Sequence, residues 1–340
     1  MKGKKVGIII GAVAGAVLIA GGVIAGIALF KKQPDTYRVI KVIEADGHNL
    51  VTRGEITDLE AYEGMALQSG DSIHVDGNSS LVLMMDEDKL AYVEQNTDFN
   101  IVAEGSAKDS RTKIEVVKGA LTCEIQNNIG ANSTYEINTP NSTMAVMGTS
   151  FRLEVTNVDT INEVLQNDAI QPSFNFMAEN LKNSGITGLN TITRLTVTDG
   201  KVKVQLHDEN GNPVGDEITF DADTDVLIGG NDTNSCIIQK ITGIDISTFS
   251  EITIDFFYDI ATGSGKMVIA GNDLKDALEE NENLPHTVTF MYGTKVFAKQ
   301  VVEYDGYPEQ PEFIPTPSGK WDVDFGLPVT TDLVVYWKEN

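Results

Sequence analysis

Residues 135–156 read YEINTPNSTMAVMGTSFRLEVT, and the reading of this stretch decides the fold. Alternation enters it, with Tyr135, Ile137 and Thr139 set against Glu136 and Asn138. It leaves in the same way, with Phe151, Leu153 and Val155 against Arg152, Glu154 and Thr156. A period of two marks a half-buried strand. Pro140 has no N–H to give to a ladder and ends the first strand. Gly148 admits positive φ or a bulge where the chain turns, the Thr149 hydroxyl can bond nearby backbone, and Phe151 opens the next inward face. The stretch reads as a corner in a β framework rather than as a site of chemistry.

The same grammar extends in both directions. From about residue 38 to 155, runs of four to six residues such as DSIHV, LVLMM, LAYV and LTCEI are separated by DGNSS, DEDK, EQNTD and QNNIGANS. Short strands at this spacing predict an all-β domain with no helix of ten residues. Residues 157–191 break the rhythm: FNFMAENLKNSG places Phe174, Met177 and Leu181 on one helical face, with Gly185 as a stop. This segment is expected to pack on the β domain. Strands resume at TRLTVT and KVKVQL, and the Asp199-Gly200 pair between them signals a hairpin. Over 233–284 two readings stand. Thr248 and Glu251 have capping-box spacing ahead of a helical face, yet Ile252, Ile254, Phe256, Tyr258 and Ile260 alternate as a strand would. The last stretch, 285–340, carries both tryptophans, Trp321 and Trp337, and reads as a small β domain.

At the other end, residues 6–30 hold no charged or polar side chain. Such a helix is roughly 37 Å long, enough to span a bilayer with some tilt. No short apolar region with a small-x-small cleavage site is present, so a retained anchor is expected, with residues 1–5 cytoplasmic and 31–340 extracytoplasmic. Gly7, Gly11 and Gly15 fall four apart, as do Gly22 and Gly26, a spacing that lets two spans approach and form a homodimer. The formal net charge is −25, and residues 1–32 hold five Lys, all flanking the apolar run, and no acid, leaving 20 basic against 50 acidic residues beyond them. Such a surface repels phosphate backbones and excludes nucleic acid as a partner. Cys123 and Cys236 allow one disulfide or two free thiols, and His48, His74, His207 and His286 show no zinc spacing.

Taken in order, several of these pieces resemble the FecR-like domain of bacterial envelope proteins over about residues 38–230. Gly70, Asp71 and Ile73 match its G-D-x-I, and Leu81, Leu83 and Asp86 its L-x-L-x-D. Gly119 and Leu121 match its turn-strand. Thr139, Pro140, Ala145, Gly148, Thr149, Phe151 and Leu153 match its T-P…A-x-V-x-G-T-x-F-x-V signature. Val197, Asp199, Gly200, Val202 and Val204 match the strand that follows. The resemblance implies an extracytoplasmic, solenoid-like all-β fold that receives or transmits protein contacts. The tail resembles the Listeria–Bacteroides β-grasp surface repeat through Val288, Phe290, Val302, Tyr304, Gly306, Pro311, Trp321, Phe325, Pro328, Val329, Thr330, Asp332, Tyr336 and Trp337. It implies a surface-exposed binding or spacer module.

Little chemistry is written in the chain. ATGSGKMV lacks the Walker A residues at Ile260 and Met267, and no cofactor motif is read. Asp221, Asp223 and Asp225 have EF-hand-like spacing, but Val226 and Asp232 stand where that loop needs Gly and Glu. As a strand the three carboxylates would face solvent, with weak calcium binding as the alternative. No nucleophile–base pairing is legible. The expectation is a mainly all-β chain: anchor 6–30, FecR-like domain 38–232 with an insertion at about 157–191, a linker or helical region 233–284, and a β-grasp-like module 285–340. It would act without catalysis on a protein or envelope-polymer partner. The alternative is a transmembrane relay that regulates an extracytoplasmic-function sigma factor.

Overall fold

The computed structural model describes residues 40–86, 88–106, 109–126, 133–146, 148–167, 172–263, 266–281 and 284–339. The expected anchor, with Gly7, Gly11, Gly15, Gly22 and Gly26, and the tail 1–5 lie outside the described residues. Among the described residues no helix is long and apolar enough to cross a membrane.

Strands dominate, as the alternation predicts. The chain runs through β1 (Ile40–Asp46), β2 (Asn49–Arg53), β3 (Ile56–Glu60), β4 (Ala66–Leu67), β5 (Ser72–Val75), β6 (Ser80–Met85) and β7 (Lys89–Val93). It continues with β8 (Thr97–Gly105), β9 (Ser110–Ile125), β10 (Thr134–Asn138), β11 (Ser142–Val146) and β12 (Ser150–Asn157). Two helices follow, α1 (Val158–Gln166) and α2 (Pro172–Ser184), then β13 (Thr191–Asp199), β14 (Lys201–His207), β15 (Pro213–Asp221), β16 (Thr224–Gly230) and β17 (Ser235–Thr242). Helices α3 (Glu251–Gly263) and α4 (Gly271–Asn281) precede β18 (His286–Tyr292), β19 (Lys295–Val302), β20 (Lys320–Trp321) and β21 (Leu333–Lys338).

Pairing sorts β1–β17 into two sheets. The first is antiparallel throughout, in the order β4-β1-β6-β7-β9-β12-β13-β16-β17. The second runs β3-β2-β5-β8-β9-β10-β11-β14-β15, with only the β9–β10 pair parallel. They share one core, to which the first contributes Leu83, Leu121, Phe151 and Leu195 and the second Ile73, Phe99, Ile137 and Val204. The solenoid-like coil implied by the resemblance is not shown by this pairing; two packed layers are. β17 carries the first sheet on to Thr242, past the expected boundary at 232.

Strand β9 belongs to both sheets and turns from one to the other at Gly119 (φ +87°). A Cβ there would sit 2.4 Å from the Thr97 Cα, so the hinge tolerates no side chain. Gly148 (φ +63°) makes the corner between β11 and β12 that the opening stretch announced. Asp199-Gly200 differs from its expected role. β13 and β14 do not pair with each other; they lie in opposite sheets, and Gly200 is a second corner stacked on the first. The Thr149 hydroxyl donates to the Lys201 carbonyl (2.9 Å), and the Ala222 N–H donates to the Gly200 carbonyl (2.9 Å) at a third corner. A dipeptide signal fixes the turn but not which sheet receives the next strand.

The outer face of the first sheet is roofed. Asn157 caps α1, its side chain accepting from Asp159 N and Thr160 N. Helices α1 and α2 bury Ile161, Val164, Phe174 and Met177 against Ile192 and Leu227, as the helical face of the insertion predicts. The open reading at 248–260 resolves to helix α3. Phe256 and Ile260 pack on Val82, Leu90 and Tyr92, while Ile254 and Phe257 pack on Leu274 of α4. Two adjoining apolar stripes need helical spacing; a strand would have turned Phe257 away. Thr248 lies before the helix, in a short 3-10 turn, and caps nothing in α3.

The C-terminal sheet has the order β19-β18-β21-β20, with β18 and β21 parallel. Phe290, Trp321 and Trp337 meet edge to face, with ring centroids 4.9 and 5.0 Å apart.

Candidate functional site at the joint between the β sandwich and the C-terminal sheet

Among the described residues, two clusters of charged side chains stand at joints. The first lies on the roofed face of the first sheet. Arg152 of β12 points away from the core and donates to Glu94 Oε1 (2.7 Å) and Oε2 (2.9 Å) and to Glu154 Oε2 (2.7 Å). Ser173 of α2 links Glu154 to Arg194 of β13, which donates to Asp225 Oδ2 (2.6 Å) and to the hydroxyl and carbonyl of Thr248. The Arg194 guanidinium lies between the rings of Phe176 (3.9 Å) and Phe249 (4.1 Å). Arg152, Glu154 and Arg194 are buried. Burial alone would raise the Glu154 carboxyl; Arg152, Ser173 and Arg194 overcome it and hold the group below its usual range. This chain of charges fastens α2, the 245–250 turn and α3 to the sheet. A cleft of about 160 Å³ opens beside it, lined by Glu94, Lys118, Arg152, Glu154 and Tyr336.

The second joint binds the C-terminal sheet to the sandwich. His74 stands on β5 and Asp76 in the corner that follows, Asp98 is on β8, Asp322 follows β20, and Lys338 ends β21. The His74 Nδ1 contacts Asp98, and its Nε2 lies 2.7 Å from Asp76 Oδ1 and 3.1 Å from Asp322 Oδ1. The Lys338 ammonium abuts Nε2, 3.5 Å from Asp76 Oδ1 and 3.3 Å from Asp322 Oδ1. Burial pulls the His74 imidazolium down, but hydrogen bonds with Asp322, Asp76 and Asp98 outweigh it and push it up to about 10. With both ring nitrogens donating, the carboxylates are the acceptors for Lys338. Burial and the neighbouring Asp76 raise Asp322, while the His74 contact draws Asp76 and Asp98 below the carboxylate range. Bonds to backbone carbonyls close the joint: Gly77 N donates to Asp322 O (2.8 Å), and the side-chain amides Asn96 Nδ2 and Gln95 Nε2 donate to Val334 O (2.6 Å) and Asp332 O (3.3 Å).

The family-signature residues fall outside both joints, at structural positions. Gly70 (φ +93°) precedes Asp71, whose buried carboxylate takes two bonds from Arg53 (2.6 and 2.8 Å). Thr139, next to Pro140, bonds Asn141 and Ser142 within the β10–β11 turn. Phe151 is in the core, and Gly119, Gly148, Thr149 and Gly200 make corners. Asp221, Asp223 and Asp225 are not brought together. Asp221 pairs with exposed Lys201 (2.6 Å), Asp223 accepts from Ile244 N (3.2 Å), and Asp225 turns inward to Arg194 instead of facing solvent. Both cysteines are free, and burial pushes the Cys123 thiol up to about 12.

Sequence reasoning did not find His74, Asp322, Arg152 or Arg194. Each sits at an outward position of an alternating strand or loop, where charge ordinarily means solvent.

The observation that bears on kinship is a profile match. Residues 71–169 match the family model described as FecR protein. The matched segment spans β5 to α1, including the β9 hinge and the Gly148 corner. No curated protein matches the chain. Among solved structures, a crystal structure at 1.65 Å from Parabacteroides distasonis ATCC 8503, provisionally described as an anti-sigma factor, aligns at 10% identity and a TM-score of 0.35. That alignment covers 79% of this chain and 99% of the other. A second from the same organism, at 2.50 Å and with the same description, aligns at 10% identity and a TM-score of 0.34 over 66% and 96%. Likeness at that level carries no argument about function.

Proposed function

We propose that the chain is a membrane-anchored envelope protein whose FecR-type sandwich and C-terminal sheet act together, without catalysis, as a binding, sensing or scaffolding module at the cell surface. Its N-terminus would be cytoplasmic and residues 31–340 extracytoplasmic. The observation that supports this best is where the FecR match falls. It covers half of a sandwich whose gathered charges face one another across joints and are spent on holding helices and a second sheet in place. A chain of Arg–carboxylate pairs closed on itself transmits position and offers no reacting group. The C-terminal sheet, with its aromatic core, fits the surface-repeat reading of a contact or spacer module.

The test is in-cell photo-crosslinking from exposed positions: Val117 on the second sheet, Val301 on β19, and Phe313. A surface module gives an envelope protein or polymer adduct from at least one of them. Silence at all three, with adducts only from residues 1–5, would reject this reading. The FecR match also favours a second one, a relay that acts on a sigma factor through a cytoplasmic partner. Replacing Lys2, Lys4 and Lys5 with neutral residues should abolish output if the relay reading holds; unchanged output removes it.

A further inference from the structure

We propose that His74, Asp76 and Asp322 form a site for a divalent zinc-class cation that pins the C-terminal sheet to the sandwich, a place now taken by the tethered ammonium of Lys338. The site is independent of any protein partner. Three observations converge on it.

The first is geometry. One donor atom from each of His74, Asp76 and Asp322 lies within 4.8 Å of the other two. A tetrahedral zinc with bonds of about 2.0–2.2 Å holds its ligand atoms about 3.3 Å apart. The His74 Nε2 to Asp76 Oδ1 and Asp322 Oδ1 distances are 2.7 and 3.1 Å, so the donors need to spread by about 0.6 and 0.2 Å. The second is orientation. The far nitrogen, Nδ1, is held by Asp98, the carboxylate–histidine arrangement that fixes ring angle and makes Nε2 a better ligand. The third is a polar atom without a bond. Asp322 is fully buried, its carboxylate is turned into the cluster, and its Oδ2 has no hydrogen-bond partner. Its Oδ1 faces His74 and Lys338, so a cation held through both oxygens of this carboxylate would also satisfy the buried Oδ2.

Lys338 shows what the cluster prefers. Its ammonium abuts the His74 ring and lies within 3.5 Å of an oxygen of both Asp76 and Asp322, so a positive charge already stands where a metal would. The side chain is 35% exposed on a flexible stem and can swing into water. A divalent cation would take its place, release the His74 Nε2 proton to solvent, and complete its shell with a water. Two ligands come from the sandwich and one from the C-terminal sheet, so the cation would cross-link the two.

The experiment uses the full chain and zinc alone, with a chromophoric chelator as competitor. Lys338→Met should bind zinc at least tenfold more tightly than wild type, because no tethered charge competes. Adding His74→Gln to that variant should weaken binding at least tenfold. Cobalt(II) in Lys338→Met should show the intense visible bands of a four-coordinate site, absent from the double variant. Equal zinc affinity in the single and double variants would overturn the proposal, as would Lys338→Met binding no tighter than wild type. Should the Lys338→Met variants fold poorly by near-UV circular dichroism, wild type and the His74→Gln single variant decide: zinc raises the Tm of the first and leaves that of the second unmoved, and equal shifts in both reject the site.

Discussion

At the residue scale the molecule depends on charges buried in pairs. Arg194 illustrates the cost. It serves Asp225, Thr248 and Ser173 while two aromatic rings cover its faces. Replacing it by Met leaves the Asp225 carboxylate buried without its cation, so Arg194→Met should lose about 3–5 kcal/mol in urea unfolding. Arg194→Met with Asp225→Leu should recover most of that loss, since an apolar pair of similar bulk needs no desolvated charge. Glu44 supplies a pH dependence. Burial first, then Asp46, Asp259 and Asp255, push its carboxyl up to about 7 from 4.5. The folded state therefore holds a proton that the unfolded chain releases, and stability falls as pH rises from about 4.5 through 7. Because Glu44 is partly exposed, solvent screening trims the effect to on the order of 1 kcal/mol. Glu44→Gln should match wild type near pH 4 and exceed it at pH 8 in parallel urea titrations.

At the element scale the decisive piece is β9, one strand shared by two sheets. Its hinge works because Gly119 has positive φ and no side chain, and because the Thr97 hydroxyl accepts from Ala120 N (2.9 Å) and donates to Ala120 O (3.1 Å). Gly119→Val adds strain at that φ and an overlap with Thr97. It should cost more than about 2 kcal/mol, with a lower denaturant midpoint as the measure. Much at this scale is legible in the sequence. Alternation located the strands, Pro140 and Gly148 located the corner, and Phe174 with Met177 located α2. Helix α1 escaped because NVDTINEVLQ is short, and its signal was the Asn157 cap. The Asp199-Gly200 turn was found, but its partner strand was set by a stacking of corners among residues 148, 200 and 222 that local spacing does not encode.

At the scale of the whole molecule, helices and a second sheet close over one face of a sandwich. Met291 and Val334 of the C-terminal sheet pack with Ile192, Leu227 and the insertion helices, so the last element completes a core begun far earlier in the chain. A chain ending at residue 284 should expose that surface, melt several degrees lower and bind a hydrophobic dye that the full chain does not bind; equal melting would show the sheet to be an independent appendage. The sequence by itself determined the β framework, its glycine corners and the aromatic C-terminal core, because these rest on local backbone geometry and on a period of two. Only the tertiary structure decided that the polar face of β12 and β13 is interior. Arg152, Glu154 and Arg194 alternate as solvent-facing residues do, and nothing within a strand tells whether water or a helix will cover it. His74 and Asp322 lie 248 residues apart. Their meeting depends on how two sheets dock, which is a property of the assembled surfaces and of no single stretch of the chain.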